Sequence, residues 1–453
     1  MRHRAATLAA RAAAGLSQLR GGGGTALPGV VGLKFDPRLV GKLSSRLGGT
    51  IVVTGTNGKT TTSRFIGALL EETGHPYVHN QSGSNLLRGL AATLATARTL
   101  TKQHWGLFEV DEATMPAACQ ELRPDLVVVT NLFRDQLDRY GELKRTSELI
   151  AAGLAVMPKR SHVILNADDP LVASLGRGLA ARVSYFGIAD TRAGHRELPH
   201  AADSVSDPAT GKLLEYDRVF VGHLGHYRSP GRNANRLRRP RPDVAATAIR
   251  LSGITGSSFR LGKTAFSLGI PGLYNIYNAL AAVAAGRGLR LPDDQIASAI
   301  GGTAAAFGRT ELITIGRKKV FIGLIKNPTG TNEVIETLAL ASSQRHVLVA
   351  INDSFADGTD ISWLWDADFE KLVPLTRRFT VSGRRGAEMT LRLKYAGVDP
   401  QRVKRVGNLG DALNRALSAV PNGGTLYVLP TYTAMLELRR ILTKQGHLKH
   451  YLS

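Results

Sequence analysis

The sequence predicts an α/β protein in which two parallel sheets, each flanked by helices, form separate domains. A β-branched run at residues 51–53 leads through a glycine-containing loop into an amphipathic helix. Apolar strand-like runs then alternate with helical stretches up to residue 165, which is typical of a parallel sheet covered on both faces. A similar alternating block begins after residue 307, and 453 residues provide enough chain for two or three domains.

Residues 1–48 form a basic segment before the first predicted strand. The first 20 residues are rich in Ala and Arg and contain no Asp or Glu. Such a composition is found in organelle transit peptides and in helices that lie on anionic membrane surfaces. We favour a third interpretation, a basic helix packed on the first domain. Residues 21–24 are glycines and predict a flexible joint.

The loop after the first strand has the spacing of a phosphate-binding loop. Residues 54–61 read Thr-Gly-Thr-Asn-Gly-Lys-Thr-Thr. Gly55 and Gly58 let the backbone approach a phosphate, and the helix that follows points unpaired N–H groups at the anion. Lys59 adds a positive charge, and Thr60 adds a hydroxyl that can bind Mg²⁺. The alternative is a glycine-rich turn with an incidental lysine, but strand, spacing, lysine and hydroxyl all agree with a phosphate loop.

The remaining runs predict a central domain at residues 49–306 and a C-terminal domain at residues 307–453. Residues from about 190 to 245 are polar and rich in Pro, Arg and His, so we expect an insertion in the central domain there. A small-residue helix is expected near residues 272–283. The predicted strands are residues 51–53, 106–110, 126–129 and 162–165, then 320–324, 346–351, 379–381 and 426–429.

Composition limits the classes of partner. The net charge of +22 favours nucleotides, nucleic acids, phospholipid headgroups or a pyrophosphate-bearing substrate. No nucleic-acid-binding signature accompanies the charge, so we expect no nucleic acid partner. The single cysteine, Cys119, excludes a disulfide framework or a thiolate metal cage within the chain and fits a reducing cytoplasm. No run approaches the ~18 apolar residues that would span a bilayer.

Several motifs, in this order along the chain, resemble the Mur ligases, ATP-dependent enzymes that build the peptide of bacterial cell-wall precursors. They are residues 54–61, 130–138 (Thr-Asn-Leu-Phe-Arg-Asp-Gln-Leu-Asp), 165–170, 274–280 and 307–311. Two further stretches, 326–332 and 352–363, are similar to one branch of that family, the ligase subunits of lipid II isoglutaminyl synthase. The resemblance covers almost the whole chain.

The resemblance implies a central ATPase domain followed by a Rossmann-like α/β domain, with ATP and Mg²⁺ as cofactors. It implies a heterodimer with a GatD-type glutaminase subunit. The implied reaction is amidation of the D-glutamate α-carboxylate of the lipid II stem peptide to D-isoglutamine, through an acyl phosphate, with ammonia taken from glutamine. We therefore expect a protein of the bacterial cytoplasm, peripheral to the inner face of the plasma membrane, where lipid II lies.

Phosphoryl transfer requires that the phosphates be positioned and their negative charge neutralised. The first candidate residues are those that can do this. We expect Thr60 and Glu109 to hold Mg²⁺, because both supply hard oxygen ligands and Glu109 follows an apolar strand. The alternative for Glu109 is a solvated acid at a strand end. The expected phosphate-binding residues are Gly55, Thr56, Asn57, Gly58, Lys59, Thr60 and Thr61.

The resemblance also implies a nucleotide pocket. Asn275 resembles the family's adenine-contacting Asn, with Asn166 and Asp168 nearby. The alternative role for Asn275 is an N-cap for a helix over residues 278–286, and both roles could hold. Arg309 can reach a phosphate or form an interdomain salt bridge.

A polar loop after residue 79 is a candidate substrate contact. Its residues Asn80, Ser82 and Asn85 could meet the stem peptide or the pyrophosphate, and an ordinary surface turn is the alternative.

The insertion departs from the family pattern. Most of the family carries a four-cysteine zinc ribbon there, and the cysteine positions fall near Asp207, Thr210, Ser229 and Gly231 or Arg232 in this sequence. Because thiolates are missing, we expect no zinc. The expected chemistry is unaffected, since a closed ribbon site is structural.

Five acidic residues between positions 353 and 368 predict a solvated acidic loop or a cation site when considered alone. The resemblance instead implies that Asp360 completes the Cys–His pair of the glutaminase across the interface and orients its histidine. Trp363 and Trp365 would then be interface anchors, or simply core residues.

Two other functions compete with this interpretation. A stand-alone, amino-acid-adding Mur ligase is disfavoured, because residues 324–328 (Leu-Ile-Lys-Asn-Pro) replace the family's usual Asp-Tyr-Ala-His-Asn-Pro type of segment. An inactive scaffold for the glutaminase is disfavoured, because the phosphate loop and Glu109 are intact.

Overall fold

The computed structural model of the chain describes residues 2–19, 26–81, 84–134, 143–199, 202–231, 237–303, 309–340 and 345–448. Two large sheets organise these residues, one of nine strands and one of six, and a separate two-stranded hairpin lies in the first half of the chain. The α/β class predicted from the sequence is confirmed. The predicted boundary between residues 306 and 307 lies outside the described residues, so the three predicted domain ranges remain predictions.

The nine-stranded sheet contains the phosphate loop. Its strands are β1 Gly49–Thr54, β2 Tyr77–His79, β3 Trp105–Glu109, β4 Leu126–Val129, β5 His162–Asn166, β6 Arg182–Ile188, β9 Val244–Leu251, β10 Ser257–Leu261 and β11 Thr264–Leu268. Their order is β11-β10-β9-β6-β5-β4-β1-β3-β2. The strands from β9 to β2 in this order run parallel, whereas β9, β10 and β11 are antiparallel. The sequence did not predict this antiparallel edge.

Helices cover both faces of this sheet because successive side chains of β1 point in opposite directions. Ile51 and Val53 pack on one face with α4 Lys59–Glu72, α9 Leu273–Gly288 and α10 Asp293–Gly301. Val52 packs on the other face. The helices of that face are α1 Arg2–Leu19, α2 Leu27–Phe35, α3 Leu39–Ser44, α5 Leu87–Thr96, α6 Met115–Leu122, α7 Leu143–Ala155 and α8 Pro170–Ser174.

The basic N-terminal helix α1 packs on the first domain, as the favoured interpretation expects. Ala6 and Ala10 are fully buried against the core of the sheet. The Arg11 guanidinium donates hydrogen bonds to the backbone oxygens of Ala95 (2.9 Å) and Ala97 (2.8 Å) at the end of α5. The glycines at residues 21–24 lie outside the described residues. Within the described part of the chain, no helix has the length and apolar character needed to cross a membrane.

The six-stranded sheet forms the core of the C-terminal half. Its strands are β12 Arg309–Ile315, β13 Lys318–Gly323, β14 Arg345–Ala350, β15 Thr376–Ser382, β16 Val403–Arg405 and β17 Thr425–Pro430. Their order is β12-β13-β17-β14-β15-β16, and only the β12–β13 pair is antiparallel. One face is covered by α11 Pro328–Ala339 and α12 Gly386–Tyr395, and the other by α13 Leu409–Ala419 and α14 Tyr432–Lys444.

Candidate active site

The phosphate loop connects the end of β1 to the start of α4. Gly55 (φ 119°) and Gly58 (φ 89°) adopt conformations that favour glycine. A Cβ atom on Gly58 would lie 2.0 Å from Asn278 Oδ1, so the loop has no room for a side chain there. No side chain caps the first turn of α4. This helix start can therefore present its backbone N–H groups to an anion.

Residues 130–133, which follow β4, hold the phosphate loop in place. Asn131 Oδ1 accepts a hydrogen bond from the Asn57 backbone N–H (2.9 Å), and Asn131 Nδ2 donates one to the Asn57 carbonyl oxygen (3.0 Å). Thr130 Oγ1 donates to the same oxygen (2.8 Å), and the Phe133 N–H donates to Thr56 Oγ1 (3.0 Å). The second Mur-type motif thus fixes the geometry of the first.

Lys59 is already engaged with an acidic partner. Its ammonium lies 2.8 Å from Glu112 Oε1 and also donates to the Gly55 carbonyl oxygen. Burial alone would raise the pKa of Glu112, but the charge and hydrogen bond of Lys59 outweigh burial, so the pKa is lowered. Glu112 therefore stays ionised and preorganises Lys59. The sequence did not reveal this role, because the two residues are 53 positions apart.

Thr60 and Glu109, the two residues expected to hold Mg²⁺, lie next to each other. Thr60 Oγ1 donates to Glu109 Oε2 at 2.9 Å, and Glu109 is only 3% exposed at the end of β3. Glu109 Oε1 is buried without a hydrogen-bond partner and lies 3.4 Å from His79 Nε2. A hydroxyl and a carboxylate oxygen fit Mg²⁺, which usually completes its coordination with water and substrate phosphates. The described residues contain no group of three or more His, Cys, Asp or Glu side chains that could form a metal cage.

His79 is a residue of this site that sequence reasoning missed. It ends β2, which pairs with β3, so its side chain comes to lie beside Glu109. Its Nε2 atom is buried and has no hydrogen-bond partner. Only the order of the strands, which the sequence does not state, could have indicated this neighbour.

A cavity of about 100 Å³ lies between the phosphate loop, α9 and α11. Asn275 lines it from the first turn of α9. Its Nδ2 atom donates to the Pro271 carbonyl oxygen (2.7 Å), and its Oδ1 atom accepts from Asn278 Nδ2 (3.0 Å). Because the helix begins at Leu273, after Gly272, the alternative in which Asn275 caps a helix starting at residue 278 is wrong.

Asn166 and Asp168 do not line this cavity, which corrects their predicted place in the nucleotide pocket. Both are fully buried. Asn166 Nδ2 donates to the Thr130 carbonyl oxygen (3.0 Å). The Asp168 carboxylate accepts hydrogen bonds from Arg239 and from the Tyr277 hydroxyl (2.7 Å). Both residues form hydrogen bonds to protein groups next to the site, Asn166 to Thr130 and Asp168 to Tyr277, rather than facing the cavity.

The polar loop after β2 also departs from expectation. Asn80 is 3% exposed and bonds to the Glu109 backbone on both sides, accepting from its N–H (2.9 Å) and donating to its carbonyl oxygen (2.8 Å). Asn80 therefore positions Glu109 rather than facing a substrate. Asn85 is partly exposed and accepts a backbone hydrogen bond from Asp111 (2.9 Å). Ser82 and the side chain of Arg309 lie outside the described residues.

The insertion contains a hairpin of β7 Glu215–Val221 and β8 Leu224–Arg228. One turn precedes the hairpin and another follows it. Asp207 is 1% exposed, and its carboxylate accepts hydrogen bonds from Ser229 Oγ and from the backbone N–H groups of Ala209 (2.9 Å) and Leu237 (3.4 Å). The side chains near the four family cysteine positions offer no thiolate, so they do not fit a structural zinc ion. A carboxylate joins the two turns instead.

Asp360 lies on the surface of the C-terminal domain. Its two carboxylate oxygens accept hydrogen bonds from Ser362, one from the N–H (2.8 Å) and one from the hydroxyl (2.9 Å). Nearby Asp357 is buried and bonded to Thr433, so the acidic residues have separate roles. Trp365 is 51% exposed and lies edge-on to Tyr395, with ring centroids 5.5 Å apart.

Comparisons with known proteins identify the family. The Mur ligase middle domain matches residues 53–216, and the MurT ligase C-terminal domain matches residues 324–435. The chain is 35% identical to the lipid II isoglutaminyl synthase (glutamine-hydrolyzing) subunit MurT of Streptococcus pneumoniae, over 94% of this chain and 93% of that protein. The chain belongs to the MurT family. The MurT subunit of Staphylococcus aureus is 31% identical over 98% of both chains.

Solved structures agree with a MurT chain built on the Mur ligase fold. A pseudomurein peptide ligase type C from Methanothermus fervidus superposes with a TM-score of 0.66 at 22% identity, covering 88% of this chain and 79% of that one. MurF from Acinetobacter baumannii gives a TM-score of 0.66 at 16% identity, covering 91% and 80%. The Mur-type fold and the family expected from the motifs are confirmed.

Proposed function

We propose that this chain is the ATP-dependent ligase subunit of a lipid II isoglutaminyl synthase. It amidates the D-glutamate α-carboxylate of the lipid II stem peptide to D-isoglutamine, with ammonia that a GatD-type glutaminase subunit releases from glutamine. One observation carries the proposal. The phosphate loop, Lys59 and the Thr60–Glu109 pair converge at one edge of the larger sheet, in a chain of the MurT family.

The chemistry requires activation, because a carboxylate is a poor electrophile. ATP transfers its γ-phosphoryl group to the carboxylate, which gives an acyl phosphate and ADP. Ammonia then attacks the acyl carbon and displaces inorganic phosphate, which leaves the amide. The loop N–H groups and Lys59 hold the phosphates, and Thr60 and Glu109 hold Mg²⁺, which neutralises phosphate charge when bound. Since Glu112 pairs with Lys59 at 2.8 Å, the incoming phosphate shares or displaces that contact.

The C-terminal domain reaches the phosphate loop directly. Asn327 Nδ2 donates to Asn57 Oδ1 at 3.3 Å, while Asn327 Oδ1 caps α11 by accepting from the Gly330 N–H at 2.8 Å. This side chain links the start of α11 to the loop that binds phosphate. The nucleotide therefore contacts both halves of the chain, and its binding can fix their relative position.

Asp360 supports the assignment of a glutaminase partner. An exposed carboxylate on the C-terminal domain can orient the catalytic histidine of a partner subunit and favour its charged form. The names of the relatives describe MurT as a subunit. The net charge of +22 would favour approach to anionic lipid, which agrees with a peripheral position at the cytoplasmic membrane face where lipid II is found.

ATP hydrolysis separates the three candidate functions. We expect ATP hydrolysis to require lipid II and a source of ammonia. That source is either glutamine with a GatD-type subunit, or ammonium salt without the subunit. A stand-alone ligase would hydrolyse ATP with an amino acid and no glutaminase. A scaffold would hydrolyse none. The Lys59→Ala variant is the matched control, since it should bind the partner and yet fail to turn over ATP.

A further inference from the structure

We infer that Glu333 recognises the adenine base of the bound nucleotide through a paired hydrogen bond, one accepted and one donated by its carboxyl group. This inference rests on the proposed ATP-dependent function and names a residue that selects the base.

Glu333 lies on the wall of the nucleotide cavity. It follows Thr329 and Gly330 by one helical turn on α11, and all three residues line the cavity. Asn275 and Tyr277 line it from α9. Much of the remaining lining is apolar, which suits a flat base: Phe133, Val221, Leu224, Ile270, Leu324 and Val334.

The Glu333 carboxyl has no partner among the described residues, since no hydrogen bond or ion pair to it is found there. Other polar side chains of the cavity are engaged. Asn275 bonds to Pro271 and Asn278, and the Tyr277 hydroxyl donates to Asp168. Glu333 is partly exposed, so its carboxyl is accessible to a bound base. Hydrogen bonds to the base would replace its contacts with water.

The surroundings of Glu333 favour its neutral form. Burial, with a smaller contribution from the Glu336 carboxylate, raises the pKa of Glu333 to about 8, although the Lys371 ammonium opposes the rise. Tyr277 on α9 and Lys326 before α11 line the same cavity, and His195 lines a neighbouring cavity that Glu333 also borders. At neutral pH the group therefore carries one O–H donor and one acceptor oxygen.

Along the edge of the base that carries N7, a neutral carboxyl matches adenine and not guanine. Adenine presents an amino donor at N6 beside an acceptor at N7, so a carboxyl can accept from the first and donate to the second. Guanine presents two acceptors, O6 and N7, on the corresponding edge. The same carboxyl would leave one guanine acceptor facing a carbonyl oxygen. Glu333 therefore favours adenine nucleotides while neutral and loses this advantage once ionised.

Binding of ADP and GDP to the purified full-length chain, measured by calorimetry at pH 7 and pH 9, tests the inference. We expect ADP affinity of the natural chain to fall about tenfold at pH 9, the order of one good paired contact. Glu333→Gln keeps a donor and an acceptor, so it should bind ADP nearly as well as the natural chain at pH 7 and show no fall at pH 9. Glu333→Ala should bind ADP about tenfold more weakly than the natural chain at pH 7, show no further fall at pH 9, and be less selective against GDP.

Glu336→Gln is the matched control on the same helix. It removes a nearby negative charge and keeps the carboxyl of Glu333, so ADP affinity at pH 7 should stay close to that of the natural chain. The Glu336 carboxylate raises the pKa of Glu333, so its removal should lower that pKa and move the pH-dependent fall in affinity to lower pH.

Unchanged ADP affinity in Glu333→Ala, or the same pH dependence in Glu333→Gln as in the natural chain, would overturn the inference. Melting temperatures of all variants show whether a loss reflects unfolding. If the natural chain binds no adenine nucleotide at either pH, the proposed function fails and the inference fails with it. If ADP binds and the variants behave alike, only the role of Glu333 is refuted.

Discussion

Gly58→Ala tests whether the phosphate loop is as tightly built as its geometry indicates. Gly58 has φ 89°, and an added Cβ would lie 2.0 Å from Asn278 Oδ1. The left-handed conformation costs an alanine about 1–2 kcal/mol. Moving Asn278 adds an overpacking cost of about 1–3 kcal/mol. Because Asn278 Nδ2 donates to Asn275 Oδ1 at 3.0 Å, the displacement also reaches the cavity wall.

Gly74→Ala is the matched control at the other end of α4. Gly74 has φ 69°, but a Cβ there meets nothing within 4 Å. This variant should therefore show the conformational cost alone, about 1–2 kcal/mol, and bind ADP normally. Urea unfolding gives both free energies, and calorimetry gives ADP affinity. If Gly58→Ala loses no more stability than Gly74→Ala and binds ADP equally well, the close packing of the loop is refuted.

Four further predictions concern the chemistry, the insertion and the partner. Lys59→Ala should retain the fold and lose at least about 10²-fold in ATP turnover, because one preorganised charge on the transferring group is lost; full turnover by the folded variant would contradict the site. Elemental analysis should find no stoichiometric zinc. Burial would raise the pKa of Asp207, but its hydrogen bonds outweigh burial and lower that pKa in the folded protein. The ionised carboxylate should therefore stabilise the fold at pH values above the ordinary pKa of Asp. This stabilisation should be lost as the pH falls through the lowered pKa of the folded state. Asp207→Asn should flatten that acid dependence in urea unfolding, and an unchanged profile would refute the role of the carboxylate. Asp360→Asn should keep the complex and lose about 10²–10⁴-fold in glutaminase activity, by analogy with loss of an orienting Asp; free ammonia should restore amidation, and failure of that rescue would assign Asp360 to the ligase site.

The central strands were predictable because both of their faces are buried. Predicted residues 126–129 coincide with β4, and predicted residues 51–53 lie inside β1. Their continuous apolar runs are typical of strands covered on both sides by helices. The three-residue strands β2 and β16 and the β10–β11 hairpin were missed. Short or half-exposed strands carry too little pattern, and an edge hairpin depends on the rest of the sheet.

The phosphate loop was predictable because its residues are adjacent in sequence and each has a physical reason for its place. Glu112 and His79 were not, since they reach Lys59 and Glu109 only through the order of the strands. Asn166, Asp168 and Asn80 were predicted to contact ligands, but they form hydrogen bonds to other protein groups. The same polar side chain can bind a ligand or satisfy a buried backbone group, and only the structure distinguishes the two.

Mass spectrometry of lipid II tests the central claim most directly. The purified chain is incubated with ATP, Mg²⁺, ammonium salt and lipid II, and then with glutamine and a GatD-type subunit in place of ammonium. We predict that the stem-peptide glutamate carboxyl becomes an amide in both reactions, with one ADP released per amide formed. Unmodified lipid II in both reactions, from a folded chain that binds ATP and the partner, would contradict the assigned function.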